Sequence, residues 1–328
     1  MSNWVAVTGG CGYIGSHIAA QLKERVGFKV LVIDKDASNQ PHTHWTADEI
    51  VDNDISSPSS HAALSRLKPS AIVHCAGTSL VGPSVRDPGA YYRNNVSKTI
   101  ELLDFMRSNQ LNNIIFSSSA SVYGESWANI CSEDQQKNPI NPYGKTKAMI
   151  EDILDDYSRA YGINNFRFRY FNAAGAEPDS RLGQVHGATH LLARIMESII
   201  NDETLTVYGD KYPTTDGTCI RDYAHVDDIA RAHVLAIDYL NRSPGSYVLN
   251  LGSGSGTTVF EMINATEQVT GKKVKYEIGN NRAGDPAILI ANISAAKNTL
   301  NWVPEYTIND IVKHAWSWYQ SKTYKKLK

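Results

Sequence analysis

Short runs of apolar residues alternate with amphipathic segments through the first half of the chain. The stretch from 4 to 36 is typical of a strand, a glycine-rich turn, a helix and a second strand. Apolar runs at 70–77 and 112–124 flank a segment with helical periodicity, and another run lies at 163–175. Alternating strands and helices of this length predict a parallel, doubly wound α/β sheet, with ligands bound beyond the carboxyl ends of the strands.

The alternation becomes weaker after about residue 175, where a polar stretch follows. Beyond it the pattern predicts a helix at 191–201, a strand near 204–209, a loop over 210–223 and a helix at 226–240. We therefore predict two domains. The first spans 1–174 and carries the doubly wound sheet. The second spans 175–328 and is smaller and mixed α/β, although its segment 221–250 is expected to pack back onto the first domain.

Composition narrows the class of protein. Of 328 residues, 42% are hydrophobic and 20% are charged, as in an ordinary globular protein. The net charge of -2 offers no attraction to nucleic acid or to an anionic membrane, and no apolar run approaches the length of a membrane span. The four cysteines form no C-x-x-C pair, which argues against a zinc or disulfide framework. With no signal-peptide pattern at residue 1, these features predict a cytoplasmic protein without a bound metal.

Three glycines, Gly9, Gly12 and Gly15, lie between the first predicted strand and helix. Small residues there let the backbone approach a pyrophosphate, whose charge is favoured by the start of a helix. Asp34 closes the next strand 19 positions after Gly15, where a carboxylate can bind an adenosine ribose and repel a 2′-phosphate. This Rossmann-type arrangement predicts NAD rather than NADP as the cofactor, although Lys35 adds a positive charge. An ordinary turn would also accommodate Asp34.

Two weaker signals extend this prediction. Asp54 and Ile55 follow the third apolar run and suit the adenine side of the dinucleotide. Ala76 and Gly77 follow the fourth strand and would allow its backbone to pack closely on the cofactor.

Tyr143 precedes Lys147 by four residues at the start of a predicted helix, so the two side chains share a helix face. A free phenol has a pKa of ~10, and a nearby ammonium group together with a cationic nicotinamide ring would favour the phenolate. Such a tyrosine can take a proton from a hydroxyl group while hydride leaves the same carbon. Ser119, at the end of a strand, could bond the same oxygen. A solvated helix face and a polar turn are the alternatives for these residues.

Taken together, these motifs resemble the extended short-chain dehydrogenase/reductase family, and within it the UDP-hexose 4-epimerases. The resemblance lies in VTGGCGYIGSH, YYRNNV, FSSSASVYG, NPYGKTK, RYFNAAGA, VYGDKYPTTDGTCIRDYAHVDDIARAH and LNLGSG. It implies an NAD-dependent isomerase that removes hydride from C4 of a UDP-hexose, rotates the 4-keto sugar and returns hydride to the other face. It also implies a homodimer formed through helices of the first domain.

The resemblance assigns further site residues by position. It implies Tyr143 as general base, Lys147 as its electrostatic support and Ser119 as the partner of the sugar O4. Additional cofactor contacts are implied at Tyr13, Ile14, Asn94 and Tyr170. Substrate contacts are implied at Asn172, His190, Leu191, Thr206, Tyr208, Arg221, Arg282, Asp285 and Leu289.

The chain departs from the family pattern at 78–79, at 187–195 and near 289, and the divergence at 187–195 leaves His190 and Leu191 open as substrate contacts. Thr78 and Ser79 stand where a lysine is usual, which puts one pyrophosphate contact in question. Leu289 stands where a tyrosine often closes the sugar pocket, so an N-acetyl hexose is predicted to fit. Ala120 and Ser121 replace the acidic pair of the dehydratases. The alternatives that remain are an epimerase specific for UDP-glucuronate or UDP-N-acetylglucosamine, a dehydratase or decarboxylase, and a non-catalytic NAD sensor.

Overall fold

The computed structural model describes residues 2–124, 129–185, 190–281 and 286–327. Its strands are β1 (Trp4–Thr8), β2 (Lys29–Asp34), β3 (Glu49–Asp52), β4 (Ala71–His74), β5 (Asn113–Ser119), β6 (Ile130–Cys131), β7 (Asn164–Tyr170), β8 (Asn172–Ala174), β9 (Leu205–Tyr208), β10 (Ile220–His225), β11 (Ser246–Leu251), β12 (Gly256–Thr258), β13 (Tyr276–Gly279) and β14 (Ile288–Ala291).

The helices are α1 (Tyr13–Val26), α2 (Thr43–Thr46), α3 (Pro58–Leu67), α4 (Val81–Arg86), α5 (Pro88–Tyr91), α6 (Lys98–Ser108), α7 (Pro142–Tyr161), α8 (Leu191–Asn201), α9 (Val226–Arg242), α10 (Val259–Thr270), α11 (Ser294–Leu300), α12 (Ile308–Gln320) and α13 (Lys322–Leu327). Two short 3₁₀ turns lie at Ala37–Asn39 and Ala120–Val122, and a π-helical turn spans Tyr92–Ser97.

Seven parallel strands form the main sheet, in the order β3-β2-β1-β4-β5-β7-β11. Helices cover both faces of this sheet, which is why β1, β2 and β4 are apolar along most of their length. The strand order reverses direction between β1 and β4. In open parallel sheets a ligand crevice forms beyond the carboxyl ends of the strands at such a reversal.

Two hydrophobic cores flank the main sheet. On one face, Val5 and Val7 of β1 pack with apolar residues of α1 and α9, and on the other Ala6 packs with α3, α6 and α7. Strand β11 pairs with β7, so segments that follow residue 220 complete the sheet and one of its helical layers. Trp302 is also fully buried, in the core that contains α1 and α9.

A third core lies among α8, α10 and α12, in the later part of the chain. Trp318 of α12 is buried there, and its indole N–H donates to the carbonyl oxygen of Gln184 at 3.0 Å. Strand β10 joins this region to the first, because it pairs with β8 at one end and with β12 and β14 at the other. Within the described part of the chain, no helix is long and apolar enough to cross a membrane.

Candidate active site

The glycine-rich turn lies between the carboxyl end of β1 and the start of α1. Gly9 has a φ of +68°, and a Cβ atom there would lie 2.6 Å from the backbone nitrogen of Ala76. A Cβ atom on Gly15 would lie 2.2 Å from the carbonyl oxygen of Gly9. Helix α1 begins after Gly12 without a side-chain N-cap. The turn is therefore tightly packed against Ala76, and it leads into the positive end of a helix, which fits a pyrophosphate.

Tyr13 and Ile14 are the first two residues of α1, so their backbone N–H groups lie at this helix end. The side chain of Tyr13 has a different partner, because its hydroxyl donates to the carbonyl oxygen of Gly175 at 2.8 Å. Ile14 packs against the first core. The structure thus leaves the backbone of these two residues, rather than their side chains, facing the turn.

Asp34 lies beside the turn at the carboxyl end of β2. Its carboxylate accepts hydrogen bonds from the backbone N–H of Cys11 at 3.0 Å and of Asp36 at 3.3 Å. Lys35 points elsewhere, since its ammonium group lies 2.7 Å from the carboxylate of Asp54, which also pairs with Lys98. Burial alone would raise the pKa of Asp54, but the two lysines hold it well below its ordinary value. Asp54 therefore faces two ammonium groups and draws that of Lys35 towards itself, although one carboxylate offsets only part of their charge.

Asn95 fixes the loop that follows β4. Its side-chain oxygen accepts from the backbone N–H of Thr78 at 2.8 Å, and its amide nitrogen donates to the Thr78 carbonyl at 3.0 Å and to Thr146 of α7 at 3.1 Å. The neighbouring Asn94 donates to the Thr78 hydroxyl at 2.8 Å. A Cβ atom on Gly77 would lie 3.2 Å from the Asn95 oxygen. The loop backbone is thereby held close to α7.

Tyr143, Lys147 and Ser119 come together where β5 ends and α7 begins. Asn141 caps α7 by accepting from the backbone N–H of Gly144 at 2.9 Å. The ammonium group of Lys147 lies 5.8 Å from the centre of the Tyr143 ring, and Ser119 is hydrogen-bonded to Tyr143. The sequence prediction that these three side chains share one space agrees with this geometry.

The pKa of Tyr143 beside Lys147 is shifted in the opposite direction to the one that the sequence predicted. Burial raises the pKa of Tyr143, and the hydrogen bond with Ser119 opposes that rise only in part. Burial also lowers the pKa of Lys147 to about 8. The charge of Lys147 does not offset the effect of burial on the Tyr143 pKa. Its ammonium group donates to the carbonyl oxygen of Ser117 at 2.7 Å. In this state of the protein the phenol stays protonated.

Tyr170 ends β7 beneath this pair. Its hydroxyl lies 2.9 Å from that of Ser117 and 2.7 Å from Nε2 of His233 on α9. Sequence reasoning missed Asn95, Ser117 and His233, each of which is buried. The available signals were weak: a second asparagine in YYRNNV, a serine before Ser119 on the same strand, and a histidine within a strongly apolar helix face.

On the substrate side, β10 brings three predicted residues to neighbouring positions. Asn172 of β8 is paired with Tyr223 of β10, and Leu289 of β14 is paired with Arg221 of β10. The Arg221 guanidinium group donates to the carbonyl oxygen of Pro286 at 2.8 Å. This contact holds the arginine beside the segment that precedes β14.

The remaining predicted contacts lie on the later part of the chain. Thr206 and Tyr208 are on β9, and the Tyr208 ring lies 5.8 Å from the guanidinium carbon of Arg194 on α8. His190 precedes α8, and Leu191 is its first residue. His190 also lines a small cavity of about 20 Å³ with Tyr13 and Tyr223 among its other walls.

Arg282 and Asp285 lie outside the described residues, so their predicted contacts stay predictions. In the described ranges, no group of three or more histidine, cysteine, aspartate or glutamate side chains is arranged to hold a metal ion.

The chain matches the model of the NAD dependent epimerase/dehydratase family over residues 5–252. It is 38% identical over 319 residues to a UDP-glucose 4-epimerase of Rhizobium leguminosarum bv. trifolii, an alignment that covers 96% of this chain and 97% of that protein.

Solved structures agree with this match. A UDP-glucose 4-epimerase of Brucella ovis in complex with NAD superimposes with a TM-score of 0.92 at 41% identity, covering 96% of this chain and 98% of that one. The UDP-Glc/GlcNAc 4-epimerase of Campylobacter jejuni superimposes with a TM-score of 0.83 at 37% identity, covering 96% and 98%. The predicted doubly wound α/β fold is confirmed.

Proposed function

The chain belongs to the NAD-dependent epimerase/dehydratase family, and from this we propose that it interconverts UDP-glucose and UDP-galactose by inverting C4 through a transient 4-keto sugar. The observation that carries the proposal is the meeting of Tyr143, Lys147 and Ser119 at the sheet edge where the glycine turn also lies. The enzyme is an NAD-dependent isomerase, as the sequence predicted.

The residues present fit the cofactor. Cβ atoms on Gly9 and Gly15 would clash with the backbone of Ala76 and of Gly9, so only glycine allows this tight turn at the start of α1. Asp34 stands beside the turn and is proposed to bind the adenosine ribose. These residues would hold NAD, which would supply reversible hydride exchange at C4 and would be regenerated in each turnover. Asp54, Ile55, Ala76, Gly77 and Asn94 are proposed as further contacts of the dinucleotide.

Tyr143 is proposed to take the proton from the sugar O4 hydroxyl and to return it after the sugar has turned. Its pKa is raised by burial, so it needs a neighbouring positive charge to act as a base at neutral pH. Lys147, 5.8 Å from the ring centre, does not offset burial by itself. The cationic nicotinamide ring of bound NAD⁺ would supply the further positive charge, while Ser119 bonds the same phenol. We propose that Ser119 also binds O4 and so fixes its distance from the phenol oxygen.

Arg221 is proposed to bind the substrate pyrophosphate, because a guanidinium group keeps its charge and can hold phosphate oxygens in pairs. Asn172 is placed near it through the pairing of β8 and β10 and is proposed to bind the sugar. Thr206 and Tyr208 of β9 are proposed to form the uracil site, with His190 and Leu191 as further contacts. Arg282 and Asp285 complete the proposed set.

A dehydratase function is not favoured. Elimination requires an acid beside the strand-end serine. Ala120 occupies that position and is buried, while Ser121 donates its backbone N–H to the Ser119 hydroxyl at 3.2 Å. A non-catalytic sensor is not favoured either, since Tyr143 and Lys147 are both present and face one another.

The test is incubation of the purified protein with UDP-galactose, UDP-N-acetylgalactosamine and UDP-galacturonate in separate reactions. Conversion of UDP-galactose to UDP-glucose, without net formation of NADH, is expected. A dehydrated product would instead support the dehydratase function, and the absence of conversion of all three sugars would support the sensor.

Protein denatured after purification without added nucleotide should release NAD rather than NADP. The carboxylate of Asp34 repels a 2′-phosphate, and the Lys35 charge that could attract one is paired with Asp54. Mass spectrometry of the released nucleotide distinguishes the two, and recovery of mainly NADP would overturn the role given to Asp34.

Leu289 is proposed to leave room for an N-acetyl group, so UDP-N-acetylglucosamine should be epimerised alongside UDP-glucose. Leu289 packs against a buried cluster that includes Ala120 and Val122. These two residues belong to the short 3₁₀ turn that follows Ser119 in the chain. The bulkier Leu289→Tyr should therefore lower turnover of the N-acetyl sugar far more than turnover of the glucose form. Initial rates on both substrates measure the effect.

Leu289→Met is the matched control, since it keeps volume and apolar character. It should leave the ratio of the two rates close to that of the wild type. An equal loss on both substrates in Leu289→Tyr would show that Leu289 only packs β14.

We also propose that the protein is a cytoplasmic homodimer. Val85 on α4 and Met149 on α7 are exposed apolar side chains on helices that pack against each other, and such a surface suits a second copy. Cys11 and Cys75 are free thiols, which suits a reducing compartment. Sedimentation of the purified protein should give about twice the chain mass of 36.2 kDa.

A further inference from the structure

Two histidine side chains meet where α12 packs beside the junction of β10 and α9. His225 is the last residue of β10 and the N-cap of α9, and its Nδ1 atom lies 3.0 Å from the backbone nitrogen of Asp227. Its other ring nitrogen, Nε2, lies 3.0 Å from Nδ1 of His314 on α12. Because α9 belongs to a core that flanks the main sheet and α12 belongs to the third core, His225 connects helices of two different cores.

The proton positions in this pair follow from counting donors. A backbone N–H group only donates, so Nδ1 of His225 accepts from Asp227 and carries no proton. The neutral His225 ring therefore has its proton on Nε2 and donates it to Nδ1 of His314. Because that nitrogen must accept, the neutral His314 ring has its own proton on Nε2. Both hydrogen bonds are satisfied only while the two rings are neutral.

An additional proton on either ring breaks one of these hydrogen bonds. On His314 it would occupy Nδ1, and two N–H groups would then face each other across the pair. On His225 it would also occupy Nδ1, where the backbone N–H of Asp227 already points. Protonation therefore releases α12 from His225 in the first case and removes the side-chain cap of α9 in the second.

His314 is the ring that can take up a proton first. His225 is 1% exposed, and its ring stacks on Tyr306 with 4.1 Å between the ring centres. It also packs directly on Gly175, where a Cβ atom would lie 3.0 Å from the ring. His314 is only half-buried, so water reaches it. The hydrogen bond between His225 and α12 is therefore the one that acid breaks first.

Titratable side chains lie on the elements packed around the pair: Asp310 and Lys313 on α12, His17 on α1, Asp227 and Asp228 on α9, and Tyr306 before α12. Burial lowers the pKa of His225 to about 3 and keeps the pKa of His314 below its ordinary value, although Asp310 acts in the opposite direction. His17 strengthens the effect on His225, and Lys313 strengthens the effect on His314. Both rings are therefore neutral at physiological pH.

We propose that the His225–His314 pair is an acid-sensitive contact, which joins α12 to the β10–α9 junction while both rings are neutral and opens when one ring takes up a proton. The inference goes beyond the proposed function and does not depend on it. An unfolded histidine has a pKa of ~6.5, which lies above the pKa values of the folded pair. The stabilisation from this contact is therefore complete above about pH 6.5 and is lost as the pH falls from there towards the folded pKa values.

His314→Asn tests the proposal, because an asparagine amide oxygen can accept from His225 in place of Nδ1 but does not titrate. Urea unfolding at a series of pH values gives the number of protons that the chain takes up on unfolding. Between about pH 7.5 and about pH 5.5 the wild type should take up more protons than His314→Asn, by up to about one, the uptake of one unfolded histidine. Equal uptake by the two proteins would overturn the proposal.

His44→Asn is the matched control, because His44 on α2 is exposed and its surroundings change little on folding. This variant should take up as many protons on unfolding as the wild type does. A reduction in His44→Asn as large as that in His314→Asn would show that the proton uptake does not come from the pair, and it would also overturn the proposal.

Hydrogen exchange on the wild type locates the change and decides the question if His314→Asn does not fold. After correction for the pH dependence of the exchange chemistry, the amides of α12 should lose protection over the same pH range. Those of α6, which packs against α7, should keep theirs. Equal losses in the two helices, or no loss in α12, would overturn the proposal. In ¹⁵N spectra of the histidine rings at neutral pH, Nδ1 of His225 and of His314 should be unprotonated, and a proton on either would contradict the donor count.

Discussion

Replacement of Tyr143 by phenylalanine should lower turnover of UDP-galactose by about 10²–10⁴-fold, the range expected when a general base is lost. The ring of Tyr143 is buried at the start of α7, so the phenylalanine keeps the packing and removes only the hydroxyl that Ser119 contacts. Binding of the nucleotide sugar should persist. Steady-state rates and calorimetric titration with UDP-glucose measure the two quantities.

Tyr161→Phe is the matched control for this exchange. Tyr161 is on the same helix, but it lies at the far end and is 48% exposed. Removing its hydroxyl should leave turnover unchanged. Near-normal turnover in Tyr143→Phe would exclude the phenol from proton transfer.

Exchange of Glu151 for glutamine should lower the free energy of unfolding by about 3–5 kcal/mol, the cost of breaking a buried ion pair. Glu151 on α7 is fully buried and forms a two-pronged pair with Arg169 on β7, with distances of 2.7 Å and 3.0 Å. Ser118 also donates to the carboxylate at 2.5 Å. Glutamine keeps the shape but leaves the arginine charge uncompensated. Urea unfolding at neutral pH measures the loss.

The pH dependence of this loss has a definite sign. Burial would raise the pKa of Glu151, but the bonds and charge of Arg169 outweigh it, so the folded pKa lies below the ordinary value. The stabilisation is complete above the unfolded pKa of ~4.3 and is lost as pH falls through the folded pKa. The difference in the free energy of unfolding between the wild type and Glu151→Gln should therefore become smaller at acidic pH.

Asp156→Asn is the control, because the Asp156–Arg159 pair is on the same helix but is 72–74% exposed. Such a pair contributes at most ~1 kcal/mol. If both exchanges shift the urea midpoint equally, the buried pair has no special weight in stability.

Local sequence patterns were sufficient to predict the main sheet and to identify the family. A strand covered on both faces is usually apolar along most of its length, so β1, β2 and β4 were visible as short apolar runs. The glycine spacing was visible because the turn at Gly9 tolerates no side chain. The shared face of Tyr143 and Lys147 follows from helix geometry alone, and α8 begins and ends where its periodicity does.

The loop predicted over 210–223 was wrong in its last part, because β10 begins at Ile220. Its sequence is polar, and Asp222 would be costly to bury alone. The structure satisfies that carboxylate with backbone N–H groups of Ser253, Gly254 and Ala291, which come from two distant segments. Pairing between such segments leaves no periodic signal in the strand itself, so the prediction failed there.

The protonation states at the site also depend on distant contacts. The sequence places an ammonium group near a phenol, and from that alone a lowered Tyr143 pKa was expected. Folding buries both groups and turns Lys147 towards Ser117, so burial outweighs the charge and the pKa rises. Motif spacing along one helix determines which groups can meet. Their burial arises only when separate elements pack together, because desolvation depends on every neighbour that excludes water.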